Sequence, residues 1–287
     1  MFRRMADAAF LQAQRDHVYD PQVLAANTLV DELKQAKPGI AVPFVAPHYN
    51  AAGARILALS SNPGPRAAGE SGSGFLSREN DDPSAERMSR VLQAVGLGDT
   101  DLMPWNAYPW YVHESYPDGL PPTLLAEGLQ PFALLLDQHP DIRAIVAHGG
   151  DAKRFMRLFT AKKRYLRIVE DRGLRVWETR HTSNRAFILS KVERALAMEK
   201  MAQTYREAME YVQLTPLPAR GGSTPPARKK HPSGAELVGA VGDALSAITD
   251  GQTDHATRVA VRTYLGTMTP HRRTELLVEL VTQRLNS

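Results

Sequence analysis

Short apolar runs alternate along the chain with longer segments whose apolar residues recur at helical spacing. Ile56, Leu57, Ala58 and Leu59 form one continuous run, the pattern of a strand buried in a parallel sheet. A second short apolar stretch ends at Asn106, a third runs from Ile142 to His148 before Gly149-Gly150, and a fourth begins at Leu174 and ends at His181. Between them, Asp82-Pro83-Ser84-Ala85-Glu86 reads as a helix start leading into Met88, Val91, Leu92 and Val95. Leu124 to Gln138 predicts another helix, Asp151 is expected to cap a basic one, and Val192 to Val212 predicts a closing helix. The alternation implies an α/β fold, a three-layer α/β/α sandwich with a central, mostly parallel sheet and the polar strand exits gathered along one edge.

The ends of the chain read differently. Residues 1–40 predict a helical extension that contacts the core through Phe10, Leu11, Val23, Leu24, Leu29, Val30 and Leu33. The α/β domain is assigned to 41–213. Residues 214–233, rich in Pro, Gly and basic residues including Arg228-Lys229-Lys230, have the composition of a linker. Residues 234–287 predict a small helical module, with Leu237, Val238, Val241, Leu245 and Ile248 at helical spacing. About fifty residues are marginal for an independent core. This module is therefore expected to dock on the α/β domain or on another chain, as a surface for a protein partner or for self-association.

Composition narrows the classes. The 287 residues, 43% hydrophobic, suffice for one substantial core and a small appendage. The absence of cysteine excludes disulfides, zinc thiolate sites and iron–sulfur clusters. No apolar stretch is long enough to span a bilayer and no signal-like segment opens the chain, so a cytoplasmic protein without membrane partners is expected. No histidine and carboxylate cluster accompanies the motifs, so neither a metal nor a cofactor is expected. The formal charge of +4 says little, but Lys153 to Arg175 concentrates Lys153, Arg154, Arg157, Lys162, Lys163, Arg164, Arg167, Arg172 and Arg175. That stretch reads equally as a phosphate-binding patch or as the solvated face of a helix whose Phe155, Met156, Leu158 and Phe159 are buried.

Chemistry concentrates at three strand exits. The first apolar run breaks into Asn62-Pro63-Gly64-Pro65 and a loop carrying Gly69, Gly72 and Gly74, where glycine permits positive φ or close backbone approach. These are also ordinary turn residues. Asn106 closes the second run inside an aromatic cluster, and His181 closes the last, followed by Thr182, Ser183, Asn184 and Arg185. A buried amide can pair with the edge of a nucleobase, and a histidine can donate to an oxygen that gains charge.

With these three segments in this order, the chain resembles the uracil-DNA glycosylase superfamily, most closely its mismatch-specific and single-strand-selective branches. Ser60-Ser61-Asn62-Pro63-Gly64 is similar to their Gly-Met-Asn-Pro-Gly or Gly-Ile-Asn-Pro-Gly turn, Trp105-Asn106-Ala107 to their Asn-Ala strand end, and His181-Thr182-Ser183-Asn184 to their His-Pro-Ser-Pro. The resemblance covers roughly residues 40–200 and implies a DNA partner and a monofunctional glycosylase that hydrolyses the N-glycosidic bond of a flipped pyrimidine. It implies that Asn62 orients the water, that His181 donates to pyrimidine O2, and that Asn106 reads the base edge. It also implies that Phe75 stacks on the base, that Ser183, Asn184 and Arg185 contact the DNA, and that a residue just past the histidine pushes into the duplex and holds the base out, either Arg185 by charge or Phe187 as a wedge. With no lysine in the motifs, no Schiff-base lyase step is expected.

Two departures bear on substrate. Asn62 and Gly64 stand where the branch most active on uracil has Asp and Tyr, which implies slower hydrolysis and more room beside pyrimidine C5. Thr182 and Asn184 replace the prolines that hold the histidine loop. Uracil or a C5-modified pyrimidine is the expected target, and a hypermodified base of viral DNA would make the protein a defence enzyme rather than a repair enzyme. A DNA-binding member without hydrolysis, recruiting partners through its helical tail, is the alternative of a different class.

Overall fold

The computed structural model describes residues 2–112, 115, 116 and 118–217. Internal contacts divide the chain into Met1–Ala219 and Arg220–Ser287. The second unit lies outside the described residues, and with it most of the expected linker and the whole 234–287 helical module.

The described strands are β1 (Phe44–Val45), β2 (Ile56–Ser60), β3 (Phe75–Leu76), β4 (Leu102–Asn106), β5 (Ala144–His148) and β6 (Arg175–Thr179). The α-helices are α1 (Ala8–Asp16), α2 (Leu24–Ala36), α3 (Pro65–Ala68), α4 (Pro83–Val95), α5 (Pro122–Glu127), α6 (Leu129–Gln138), α7 (Gly149–Thr160), α8 (Lys163–Asp171) and α9 (Lys191–Tyr211). Four strands form a wholly parallel sheet in the order β4-β2-β5-β6, while β1 and β3 make a separate parallel pair. The central β5 is buried along its whole length and β2 nearly so, which is why both read as unbroken apolar runs. β6, at an edge, mixes exposed and buried positions.

The chain moves from β2 to β4 in one direction across the sheet and from β5 to β6 in the other. Right-handed crossovers then place α4 and α7 on opposite faces. α9 packs on α4 and on β5 and β6, while α7 packs with α5 and α8. On the α7 side, Phe132, Phe155, Phe159 and Tyr165 form a ring cluster with centroids 4.6–6.2 Å apart. On the α9 side, buried His148 meets the Tyr205 hydroxyl at 2.8 Å, which in turn lies 3.7 Å from Met88 Sδ. Residues 1–40 join the same core. Leu29, Val30 and Leu33 of α2 are buried in it, Asn27 brackets Val45 with bonds to its N–H and carbonyl, and Trp110 donates to the Leu33 carbonyl at 2.9 Å.

Two expectations are corrected. The helix read over 124–138 is two helices, α5 and α6, broken at Gly128, whose α-carbon packs so close to Ala107 that a Cβ would lie 1.8 Å from that carbonyl oxygen. Asp151 does not cap the basic helix. α7 starts at Gly149, and the Asp151 carboxylate instead reaches across to Ser61 and Leu120. Of the loop glycines, only Gly74 has positive φ (+85°), while Gly69 and Gly72 lie close to backbone and Gly64 has open space around it. Among the described residues no helix is long and apolar enough to cross a membrane.

Candidate active site

In an open parallel sheet, ligands bind beyond the carboxyl ends of the strands, at the point where outgoing connections part. Here that point lies between β2 and β5. β2 delivers Ser60-Ser61-Asn62 to it, and Asn106 ends β4 as the register partner of Ser60. The pairing continues past the strand ends, with Ala107 N–H donating to Ser60 O at 2.8 Å and Tyr108 N–H to Ser61 O at 2.9 Å. This fixes the Asn62 and Asn106 turns side by side. β6 delivers His181 to the same edge. All three exits thus lie on the sheet's carboxyl edge, Asn62 and Asn106 on the adjacent strands β2 and β4 and His181 beyond β6, next to Gly149 at the end of β5.

Asn106 is 4% exposed, and its amide nitrogen is buried without a hydrogen-bond partner among the described residues. A native structure rarely leaves such a donor unmatched. Asn62 is half-buried, and its Nδ2 donates to the Pro63 carbonyl at 3.1 Å, which fixes the amide within its turn.

His181 accepts the Ser183 N–H at Nδ1, 3.0 Å away. An imidazole nitrogen that accepts carries no proton, so this bond assigns the neutral ring's proton to Nε2 and leaves Nε2–H as a donor. Burial holds the His181 pKa below the ordinary histidine value, with the Asp151 and Asp82 charges partly opposing it. The neighbouring His148 is pushed down to about 3 by burial and by His181. The ring's position depends on Gly149, which has φ +81° and whose missing Cβ would lie 2.9 Å from His181 Cβ.

The loop that lacks the expected prolines is held another way. Arg87 of α4 donates to the Thr182 carbonyl at 2.6 Å and to Asn184 Oδ1 at 2.7 Å, with its guanidinium 4.9 Å over the Phe187 ring. Arg180 closes the loop onto the Ala186 carbonyl at 2.7 Å. Arg87→Ala is expected to destabilise the protein by about 1.5–3 kcal/mol, the worth of hydrogen bonds to a charged group, read as a lower denaturant midpoint. Arg87→Lys should not restore it, because an ammonium cannot span both acceptors as a planar fork does. Full recovery with lysine would contradict this account of the loop.

The remaining expected residues fall as follows. Ser183 contributes its N–H to His181 and its Oγ to the Ala186 N–H. Asn184 is exposed but held by Arg87, and Arg185 is exposed and paired with Asp118 at 3.3 Å. Phe187 is corrected as a candidate wedge. It is 4% exposed and packed in the core, whereas the next residue, Ile188, is 80% exposed and begins an apolar stripe with Val192 and Leu196. Phe75 sits in the core at 2% exposure, its ring tilted against Phe44, so it offers no open face for stacking. Much of the basic stretch is engaged within the fold. Lys153 and Arg157 pair with Glu178, Arg154 with Asp151, Arg172 bonds three carbonyls, and Arg164 and Arg175 lie over rings. These residues fit the helix-face reading of the stretch.

Asp151 is the site residue that sequence reasoning missed. Its Oδ2 accepts from Ser61 Oγ at 2.6 Å and from Leu120 N–H at 3.1 Å, and its Oδ1 accepts from Arg154 at 2.5 Å. Burial acts to raise this carboxyl, but the bonds from Ser61, Arg154 and Leu120 outweigh it and hold the pKa below the usual value. Its one available signal was an acidic residue just after Gly149-Gly150 at a parallel strand's carboxyl end, a position local pattern assigns to helix capping. No group of three or more His, Asp or Glu side chains poised to hold a metal occurs among the described residues.

No family model matches the chain, and no curated protein matches it.

Proposed function

We propose that the protein is a monofunctional DNA glycosylase that takes a flipped pyrimidine into the crevice between β2 and β5 and hydrolyses its N-glycosidic bond. The observation that carries this reading is the buried, unpartnered amide nitrogen of Asn106 at the carboxyl edge, a donor suited to a carbonyl on the edge of a base. Two further side chains at the same sheet edge supply what the chemistry needs. His181, neutral with its proton on Nε2, donates to O2 as the departing base gains negative charge, and Asn62 orients the attacking water. The leaving group is then stabilised by a fixed donor rather than by a full proton transfer. Ile188 and Arg185, exposed beside the histidine loop, are suited to hold open the stack from which the base is drawn.

The open space around Gly64 favours a target larger than uracil at C5, because a Cβ there would meet nothing within 4 Å. The test is base release, followed by chromatography, from duplexes and single strands carrying uracil, 5-hydroxymethyluracil, mismatched thymine or glucosylated 5-hydroxymethylcytosine. One base should be released, leaving a strand that breaks only after alkali, and Asn62→Ala should abolish the release. Tight DNA binding without release of any base would favour the non-catalytic reading.

A further inference from the structure

The nucleophilic water needs a base, and Asn62 is an amide that cannot accept a proton at neutral pH. We propose that Asp151 is that base and acts through Ser61, an inference that rests on the glycosylase reading of the site. Ser61 Oγ lies 2.6 Å from Asp151 Oδ2 and 3.0 Å from Asn62 Oδ1. One hydroxyl proton faces two acceptors, and the carboxylate, closer and charged, takes it. Asn62 Oδ1 therefore remains an acceptor for water, while Ser61 Oγ keeps lone pairs beside it.

The surroundings are built to admit the carboxylate. Gly119 has φ +112°, and a Cβ there would lie 2.7 Å from Asp151 Oδ1 and 2.8 Å from Arg154 Nη2. The loop before α5 can thus donate the Leu120 N–H to Asp151 only because glycine precedes it. The groups facing Asp151 are Arg154 on its own helix, Ser61 beyond β2, the Leu120 N–H before α5, and neutral His181 beyond β6. Arg154 is the one fixed cation among them. It holds the carboxylate ionised without removing Oδ2 from Ser61.

Water oxygen bonds to C1′ of the deoxyribose as the C1′–N bond breaks, and that bonding pair leaves on the base, whose O2 accepts from His181 Nε2–H. The proton lost by water passes to Ser61 Oγ while the Ser61 proton passes to Asp151 Oδ2. Asp151 then releases it to solvent.

The test measures single-turnover release of whichever base in the four-member panel the parent protein removes. Asp151→Asn and Ser61→Ala should each slow release at saturating protein by about 10²-fold or more, the usual worth of a positioned base, with DNA affinity little changed. The double variant should be no slower than the slower single one, because both residues serve one proton path. The parent rate should be flat from neutral to mildly alkaline pH. In Asp151→Asn, hydroxide must replace the missing base, so the rate should climb with pH, about tenfold per unit if first order in hydroxide. A merely structural aspartate would not produce that slope. Should Asp151→Asn fail to fold by its melting curve, Ser61→Ala carries the same rate and pH test. Release that depends on Asn62 and His181, but with Asp151→Asn or Ser61→Ala within threefold of parent and equally flat with pH, would overturn this proposal alone. No release by the parent from any member would overturn the glycosylase reading, and this proposal with it.

Discussion

His181→Ala should slow base release by about 10²–10³-fold, the 2.7–4 kcal/mol typical of a single preorganised donor to a developing oxyanion, while leaving DNA affinity within a few-fold. The Ser183 N–H occupies Nδ1 and so leaves Nε2–H for the departing base. The pH dependence follows with a definite sign. The folded pKa is lowered by burial, so the neutral, correctly protonated ring should persist below the ordinary histidine value of about 6.5. On acidification through the lowered pKa, Nδ1 gains a proton, the Ser183 bond is lost and the loop loosens. The rate should therefore hold as the pH falls past the ordinary histidine value and decline only beyond it. A histidine acting as imidazolium would show the opposite trend, with the rate rising as pH falls, and that result would remove His181 from the proposed role. Single-turnover rates across pH 5–8 for parent and His181→Ala distinguish the two (the range is set by the histidine value of about 6.5).

Gly128→Ala should destabilise the protein by about 3 kcal/mol or more, at or beyond the upper end for overpacking, because the new methyl would stand 1.8 Å from the Ala107 carbonyl oxygen and 3.2 Å from the Phe155 ring. Neither can yield cheaply. Ala107 is tied to Ser60 O in the continuation of the sheet, and Phe155 lies in the ring cluster beneath α7. The expected drop in Tm is roughly 6–12 °C for a domain of this size. Because Ala107 follows Asn106, the surviving folded protein should also bind DNA bases less well. Gly150→Ala is the matched control, with nothing within 4 Å of the added methyl, and it should change stability by less than about 1 kcal/mol. Equal effects from the two substitutions would contradict the close approach at Gly128.

What could be read from the sequence was local. β2 and β5 announced themselves because burial on both faces keeps Ile56–Leu59 and 144–147 apolar throughout. α4 did so because Asp82 and Pro83 mark its start and Met88, Val91, Leu92 and Val95 recur at helical spacing, and Asp82 indeed accepts from Ser84 and Ala85 N–H. The placing of Asn62, Asn106 and His181 on one sheet edge followed from their position at the exits of parallel strands.

What escaped was set by partners distant in sequence. Asp151 looked like a cap because its true partner, Ser61, lies 90 residues away, and Arg87 drew no notice because the loop it clamps is 95 residues on. The break at Gly128 depends on one carbonyl of another element, and a helical apolar pattern carries no trace of it. Phe187 and Ile188 were not separable because a short 3₁₀ turn, Arg185–Phe187, decides which of two adjacent side chains points inward.

The most direct test of the account is a structure of the protein with DNA carrying a 2′-fluorinated form of the released nucleotide, whose electron-poor sugar resists bond cleavage. The base should lie in the crevice between β2 and β5, with its O2 about 3 Å from His181 Nε2, hydrogen-bond distance, and a carbonyl on its edge meeting the Asn106 amide nitrogen. DNA seated elsewhere, or a base left stacked in the duplex while Asn106 keeps its unmatched donor, would contradict the central claim.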